Sequence, residues 1–85
     1  IAADYATKGI RANCLVVGTV NTPMVARLGP DALARRRQMV PMQSEGTAWD
    51  VGYAAVYLAS EESRWVTGLL LPIDGGLAAI RAWPR

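Results

Sequence analysis

The stretch Val16-Val17-Gly18-Thr19-Val20-Asn21-Thr22-Pro23-Met24 joins an apolar run, a glycine stop, small polar residues and a proline. Where a β-strand ends, main-chain N–H and C=O groups lose their ladder partners. A flat polar ligand can then take them up without ordering a side chain. The stretch is therefore a candidate for a ligand-facing rim. The alternative is a tight turn in which Gly18 serves only φ and Thr22 is solvated. Other residues able to do chemistry are sparse. Tyr5 and Lys8 stand three apart at a helix end, and Arg35, Arg36 and Arg37 are consecutive. On a helix, three consecutive residues fan across ~200° and do not converge. They read as a solvated face, with an anionic substrate as the alternative contact. Asp74 precedes Gly75 and Gly76, which suits a turn cap. Cys14 is the single cysteine and histidine is absent, so no disulfide framework or usual zinc-ligand set is available.

Composition sets the frame for these residues. A chain of 85 residues that is 52% hydrophobic and 19% charged is apolar for its size, so some faces are meant for surroundings beyond it. The net charge of +2 is too small and too dispersed for a nucleic-acid footprint. No apolar run reaches the ~18 residues of a membrane span, and no leader pattern is visible, so a soluble, cytoplasmic protein is expected. Ile1 to Gly9 reads as the last turns of a helix with a glycine C-cap and Lys8 at the negative end of its dipole. Eight residues are too few for a stable helix alone, and a piece of something longer is expected.

The elements that position the rim follow from periodicity. Ile10 to Val17 reads as a strand whose CLVV half has lost polar alternation, as in a parallel sheet covered on both faces. Pro30 opens a short helix to about Met39, and Pro41 ends it. Thr47-Ala-Trp-Asp50 is a capping-box pattern. Val51, Ala54, Ala55 and Leu58 then form a sheet-packing face at helical spacing. Trp49, Tyr53, Val56 and Tyr57 form a second stripe, covered either by other segments of the chain or by a partner subunit. Leu69 to Ile73 is a second strand, with Pro72 marking an edge or strand end. Asp74-Gly75-Gly76 is a turn, and the remainder an apolar tail containing Trp83. Strand, crossover helix and strand give two parallel neighbours, an α/β arrangement that needs further strands.

KGIRANCLVVGTVNTPM followed by EGTAWDVGYAAVYLASEESRWVTGLLLPIDGG resembles the C-terminal third of a short-chain dehydrogenase/reductase over nearly the whole chain. The resemblance implies that residues 1–85 are the C-terminal part of a doubly wound, Rossmann-type domain. NAD or NADP would lie across the carboxyl ends of its strands. It implies that the Val17–Thr22 bend lies beside the nicotinamide, with the Val20 backbone pairing with the ring carboxamide. The Thr22 hydroxyl would reach the carboxamide or pyrophosphate, and Gly18 would let the cofactor approach. Val17 departs from the family's usual proline, restoring an N–H and loosening φ.

The loop from Met24 to about Gly46 matches the family's substrate lid, with Met24, Met39 and Met42 as adaptable surface or ordinary core filler. Gly29 and Gly46 are its candidate hinges. The family's catalytic serine and Tyr-x-x-x-Lys set have no counterpart here, because Tyr5 and Lys8 are spaced by three and abut KGIR. Tyr5 reads as packing and Lys8 as a helix-end charge. EGTAWDV and LPIDGG are similar to members acting on cyclic or secondary alcohols. The expected parent is an NAD(P)-dependent oxidoreductase acting on a small alcohol or ketone. It would form a homo-oligomer, a dimer or tetramer, through Trp49, Tyr53 and Tyr57. The alternative is a non-catalytic fragment that only associates.

Overall fold

The computed structural model describes residues 1–82, with side chains through residue 80. The element order is α1 (Ala2–Tyr5), a 3-10 turn (Ala6–Lys8), β1 (Cys14–Val17), α2 (Pro23–Ala26), α3 (Pro30–Gln38), α4 (Ala48–Ala59), a second 3-10 turn (Glu61–Ser63), β2 (Leu70–Ile73) and α5 (Leu77–Ala82). The expected α/β class with two parallel strands and an intervening helix is what forms. Register pairs Cys14 with Leu70 and Val17 with Ile73.

The flanking bonds set the phase of this ladder. Cys14 N–H donates to Leu69 O at 2.9 Å, and Gly18 N–H donates to Ile73 O at 3.0 Å. Even-numbered β1 residues therefore donate toward β2, while Leu15 and Val17 turn their main-chain groups to the opposite edge. Val17's N–H thus lies on the side where a further strand can pair. By the same phase Pro72 faces outward from β2, so its missing donor breaks no ladder bond. The sheet can grow from β1 but is blunted at β2.

The strand is shorter than its apolar pattern: Ala12 and Asn13 meet the 66–69 segment through one main-chain bond, Gly68 N–H to Ala12 O at 2.8 Å, and otherwise through side chains. Thr67 Oγ1 accepts from Ala12 N–H at 3.1 Å. The Asn13 side chain donates to Val66 O at 3.1 Å and accepts from Leu69 N–H at 2.9 Å. The Asn13 amide takes up Val66 O and Leu69 N–H in place of main-chain groups, so the regular ladder of β1 starts at Cys14 and not at Ile10.

Arg11 ties this segment to the far end of α4. Its guanidinium donates to Ser63 Oγ at 3.1 Å, Val66 O at 3.3 Å and Ser60 O at 3.3 Å. Ser63 is fully buried, its hydroxyl 3.0 Å from Leu58 O. A cation at a helix C-terminus meets the negative end of the dipole and takes up carbonyls the helix leaves unpaired. The KGIR and SEES segments are thus two halves of one clamp. At the other end of α4 the capping box forms as expected. Asp50 N–H donates to Thr47 Oγ1 at 3.4 Å, and Thr47 N–H donates to Asp50 Oδ2 at 2.7 Å.

Three local features depart from expectation. The segment after Thr22 begins with a helical turn, α2, which Pro23 opens at its first position. The residues after Gly76 form α5 and not a tail, because Asp74 accepts from Gly76 N–H at 3.0 Å and Ala78 N–H at 2.9 Å. Trp83 lies outside the described residues. Gly9 does close the first helical segment in the left-handed region, at φ 77°, but through a 3-10 turn.

The core is thin. Among the described residues only Val40 and Ser63 are buried. The accessible surface is 6664 Å², against about 4,900 Å² for a compact protein of this mass. The radius of gyration is 15.7 Å, against about 12 Å for a compact chain of 85 residues. No described helix is long and apolar enough to cross a membrane.

Candidate functional site

The chain leaves β1 through Gly18, and a neighbouring turn dictates that residue. A Cβ at Gly18 would stand 2.6 Å from Asp74 Cβ and 2.9 Å from Asp74 Cα. Gly18 therefore permits the turn after β2 to close against the end of β1, a demand separate from any ligand. The turn itself is packed the same way. A Cβ on Gly75 would stand 2.5 Å from Val40 Cγ1, and one on Gly76 would meet Pro41 at 3.2 Å. Met42 N–H donates to Gly75 O at 3.1 Å. The Asp74-Gly75-Gly76 sequence is thus the seat on which residues 40–42 rest.

Beyond Gly18 the backbone extends again and meets Gly46 in a parallel bridge at Val20. Gly46 N–H donates to Thr19 O at 3.1 Å, and Asn21 N–H donates to Gly46 O at 2.8 Å. Extended backbone alternates the direction of its polar groups, so Thr19 and Asn21 face Gly46 and Val20 faces away. Val20's own N–H and C=O have no hydrogen-bond partner among the described residues. One donor and one acceptor therefore stand side by side on a half-buried segment whose other edge is fixed.

Thr22 adds an unpaired side-chain group. Its backbone is extended at φ −125° and ψ 166°, as the following proline requires. Its carbonyl accepts from Val25 and Ala26. Its hydroxyl oxygen is enclosed, with no hydrogen-bond partner among the described residues. Leaving such a group unpaired costs about 1–3 kcal/mol.

The residues expected from sequence are gathered around the end of β1 but do not line one cavity. Val17 and Gly18 border a groove of about 180 Å³ with Asp74, Leu77 and Ala78. A larger cleft of about 530 Å³ opens on the other side of the strand end, between Thr19, Ser44, Asp50, Ile73 and Asp74. Val20, Thr22 and Met24 border neither. Met24 projects from α2 and is 78% exposed, and Met39 and Met42 are exposed as well. The three methionines are surface, not core filler.

Sequence reasoning missed what anchors the segment between residues 24 and 46. Gly46 is not a free hinge, since both its main-chain groups are bonded into the bridge. Gly29, at φ 89°, is the residue before α3. Arg36 departs from the solvated arginine face: its Nε donates to Glu45 Oε1 at 3.3 Å, and the Glu45 side chain is only 7% exposed. The available signal was a lone acid beside Gly46, nine residues after an arginine. Among the described residues no group of three or more metal-ligating side chains assembles.

Comparison with known proteins addresses the family and the fold. A family model described as enoyl-(acyl carrier protein) reductase matches residues 1–78. A 2,5-dichloro-2,5-cyclohexadiene-1,4-diol dehydrogenase of Sphingobium indicum is 40% identical over 75 residues, 88% of this chain and 30% of the relative. The crystal structure of a 3-oxoacyl-[acyl-carrier protein] reductase from Brucella melitensis superposes with a TM-score of 0.85 at 37% identity, over 89% of this chain and 28% of that one. A candidate 2-deoxy-d-gluconate 3-dehydrogenase from Agrobacterium tumefaciens, solved with bound NADP, gives 0.80 at 33% identity, over 92% of this chain and 32% of that one. The chain thus spans about 30% of the length of the curated relatives it matches.

Proposed function

The chain belongs to the short-chain dehydrogenase/reductase family, and from that membership we propose that it serves an NAD(P)-dependent oxidoreductase as the nicotinamide-side rim and lid. Residues 1–85 form the closing part of one dinucleotide-binding domain. The reaction interconverts a small alcohol and a carbonyl compound. The dinucleotide, when bound, supplies or accepts the hydride. The observation that carries the reading is the pair of unpartnered main-chain groups at Val20. A carboxamide presents one donor set and one acceptor in a plane, and Val20 offers the complementary pair on a rigid edge. The Thr22 hydroxyl, unpaired among the described residues, would be a second polar contact once uncovered, and Val17 and Gly18 border the groove at the end of β1. Met24, on the neighbouring helical turn, is exposed apolar surface suited to a substrate's carbon frame. The proton-transfer residues of the family lie upstream of Ile1 in this reading, and the cofactor is NAD or NADP.

Because the binding groups belong to the main chain, a backbone substitution discriminates where a side-chain substitution does not. In the intact enzyme, Val20→Pro removes the N–H and weakens dinucleotide binding by roughly tenfold, for about 1.4 kcal/mol. Val20→Ala keeps both groups and stays within about threefold of wild type. Equal affinities for the proline variant and wild type would sink the reading.

A second reading rests on the exposed stripe of α4. Trp49 and Tyr53 are 72% and 68% exposed, with ring centroids 6.2 Å apart. An ordered aromatic pair in water favours association, and a homo-oligomer through Trp49, Tyr53 and Tyr57 suits it.

A further inference from the structure

We infer that Arg36 and Glu45 are a positioning pair for the Val20 edge, linking the lid helix α3 to the place where the dinucleotide binds; this rests on the reading of Val20 given above. Glu45 is covalently next to Gly46, the residue whose N–H and C=O hold Thr19 and Asn21. Its carboxylate is nearly enclosed, and among the described residues Arg36 is its one ion-pair partner, at 3.3 Å. On the far side of Gly46, Thr47 is held by Asp50 at the start of α4. Residues 45–47 are therefore gripped from α3 on one side and from α4 on the other. The bridge between them decides which way Val20 turns its polar groups.

The grip from α4 is a short-range cap, whereas the grip from α3 spans the lid. Arg36 lies in the last turn of α3, and its two arginine neighbours are exposed. When the guanidinium is removed, an enclosed carboxylate keeps its charge but loses its partner, and it must turn toward water to recover hydration. Gly46 has no side chain with which to resist that rotation. The two bridge hydrogen bonds loosen first, and the direction of the Val20 N–H and C=O becomes less defined. Substrate contact is not required for this, so the effect belongs to the cofactor side of the reaction.

The test uses the intact enzyme with Arg36→Met, Arg36→Lys and the control Arg37→Met, whose side chain is exposed. In cofactor-free protein, amide exchange should quicken at least about tenfold at Asn21 and Gly46 in Arg36→Met, with helix α4 unaffected. The dissociation constant for reduced dinucleotide, read by energy transfer from tryptophan, should rise about three- to tenfold. The value of kcat at saturating dinucleotide should stay within about twofold, since the dinucleotide is held by the same edge in the ground state and the transition state and both are weakened alike. Arg36→Lys should recover most of both effects, and Arg37→Met should match wild type. Unchanged protection, unchanged affinity, or uniform loss of protection across α4 and β1 would each overturn the inference. Val20→Pro separates the two ideas. If it weakens binding while Arg36→Met does not, the positioning role fails and the Val20 reading stands. If neither variant changes affinity, the Val20 reading itself fails.

Discussion

Gly18 carries the sharpest demand of any single residue near the strand end. Its missing side chain is needed by Asp74, whose Cβ and Cα occupy the space a methyl group would enter. Gly18→Ala must push the turn after β2 away from β1, and the cost should be about 1–3 kcal/mol, as in other overpacked sites. Thermal unfolding of the intact protein measures it, and an unchanged midpoint would show that the turn gives way freely. The same reasoning separates two roles that the residue types alone left merged. Gly18 was legible as a residue that must be small, but what requires the space is a turn 56 positions later in the chain. Val20 is the converse case, since its side chain is unremarkable and its backbone carries the interest.

At the scale of elements, α4 is held at both ends by polar groups while its flanks remain half open. Thr47→Ala removes the hydroxyl that accepts from Asp50 N–H and should cost about 1 kcal/mol. Ser63→Ala should cost more, about 1–3 kcal/mol, because it strips a buried partner from Arg11. Denaturant unfolding of both variants checks the order, and a larger loss for Thr47→Ala would contradict the clamp at the C-terminal end. The helix, its capping box and its two faces were readable from spacing, because amphipathic period and cap chemistry are local. The start of β1 was not readable. Ile10–Asn13 continues the strand-like run, yet the Thr67 hydroxyl reaches Ala12 and the Asn13 amide reaches Val66 and Leu69 only after folding, and they interrupt the ladder. Helix α5 was hidden for a related reason: Asp74 serves as its cap only once the two glycines have turned the chain.

The whole molecule is expanded, with an accessible surface and a radius of gyration well above those of a compact chain of its length. Val16, Val17 and Leu70 are substantially exposed on the sheet, so both faces and the β1 edge invite further packing. The isolated 85-residue chain is expected to bind a hydrophobic dye, to unfold without a cooperative transition and to show no dinucleotide-dependent turnover. Cooperative unfolding by calorimetry, or measurable turnover, would contradict this. For the intact protein, Trp49→Arg should shift sedimentation to the monomer if the α4 stripe joins subunits. An unchanged profile would remove that surface from the assembly.

Sequence alone determined the α/β class, the two parallel strands, the capped helix between them and the family, because each is written in local periodicity, turn chemistry or an ordered set of short motifs. The tertiary structure decided which groups face one another: Gly18 with Asp74, Arg11 with Ser63, Arg36 with Glu45, and Gly46 with the two neighbours of Val20. These are contacts between positions far apart in the chain, or between main-chain atoms common to every residue. Residue identity carries no mark of such contacts until the backbone has brought them together.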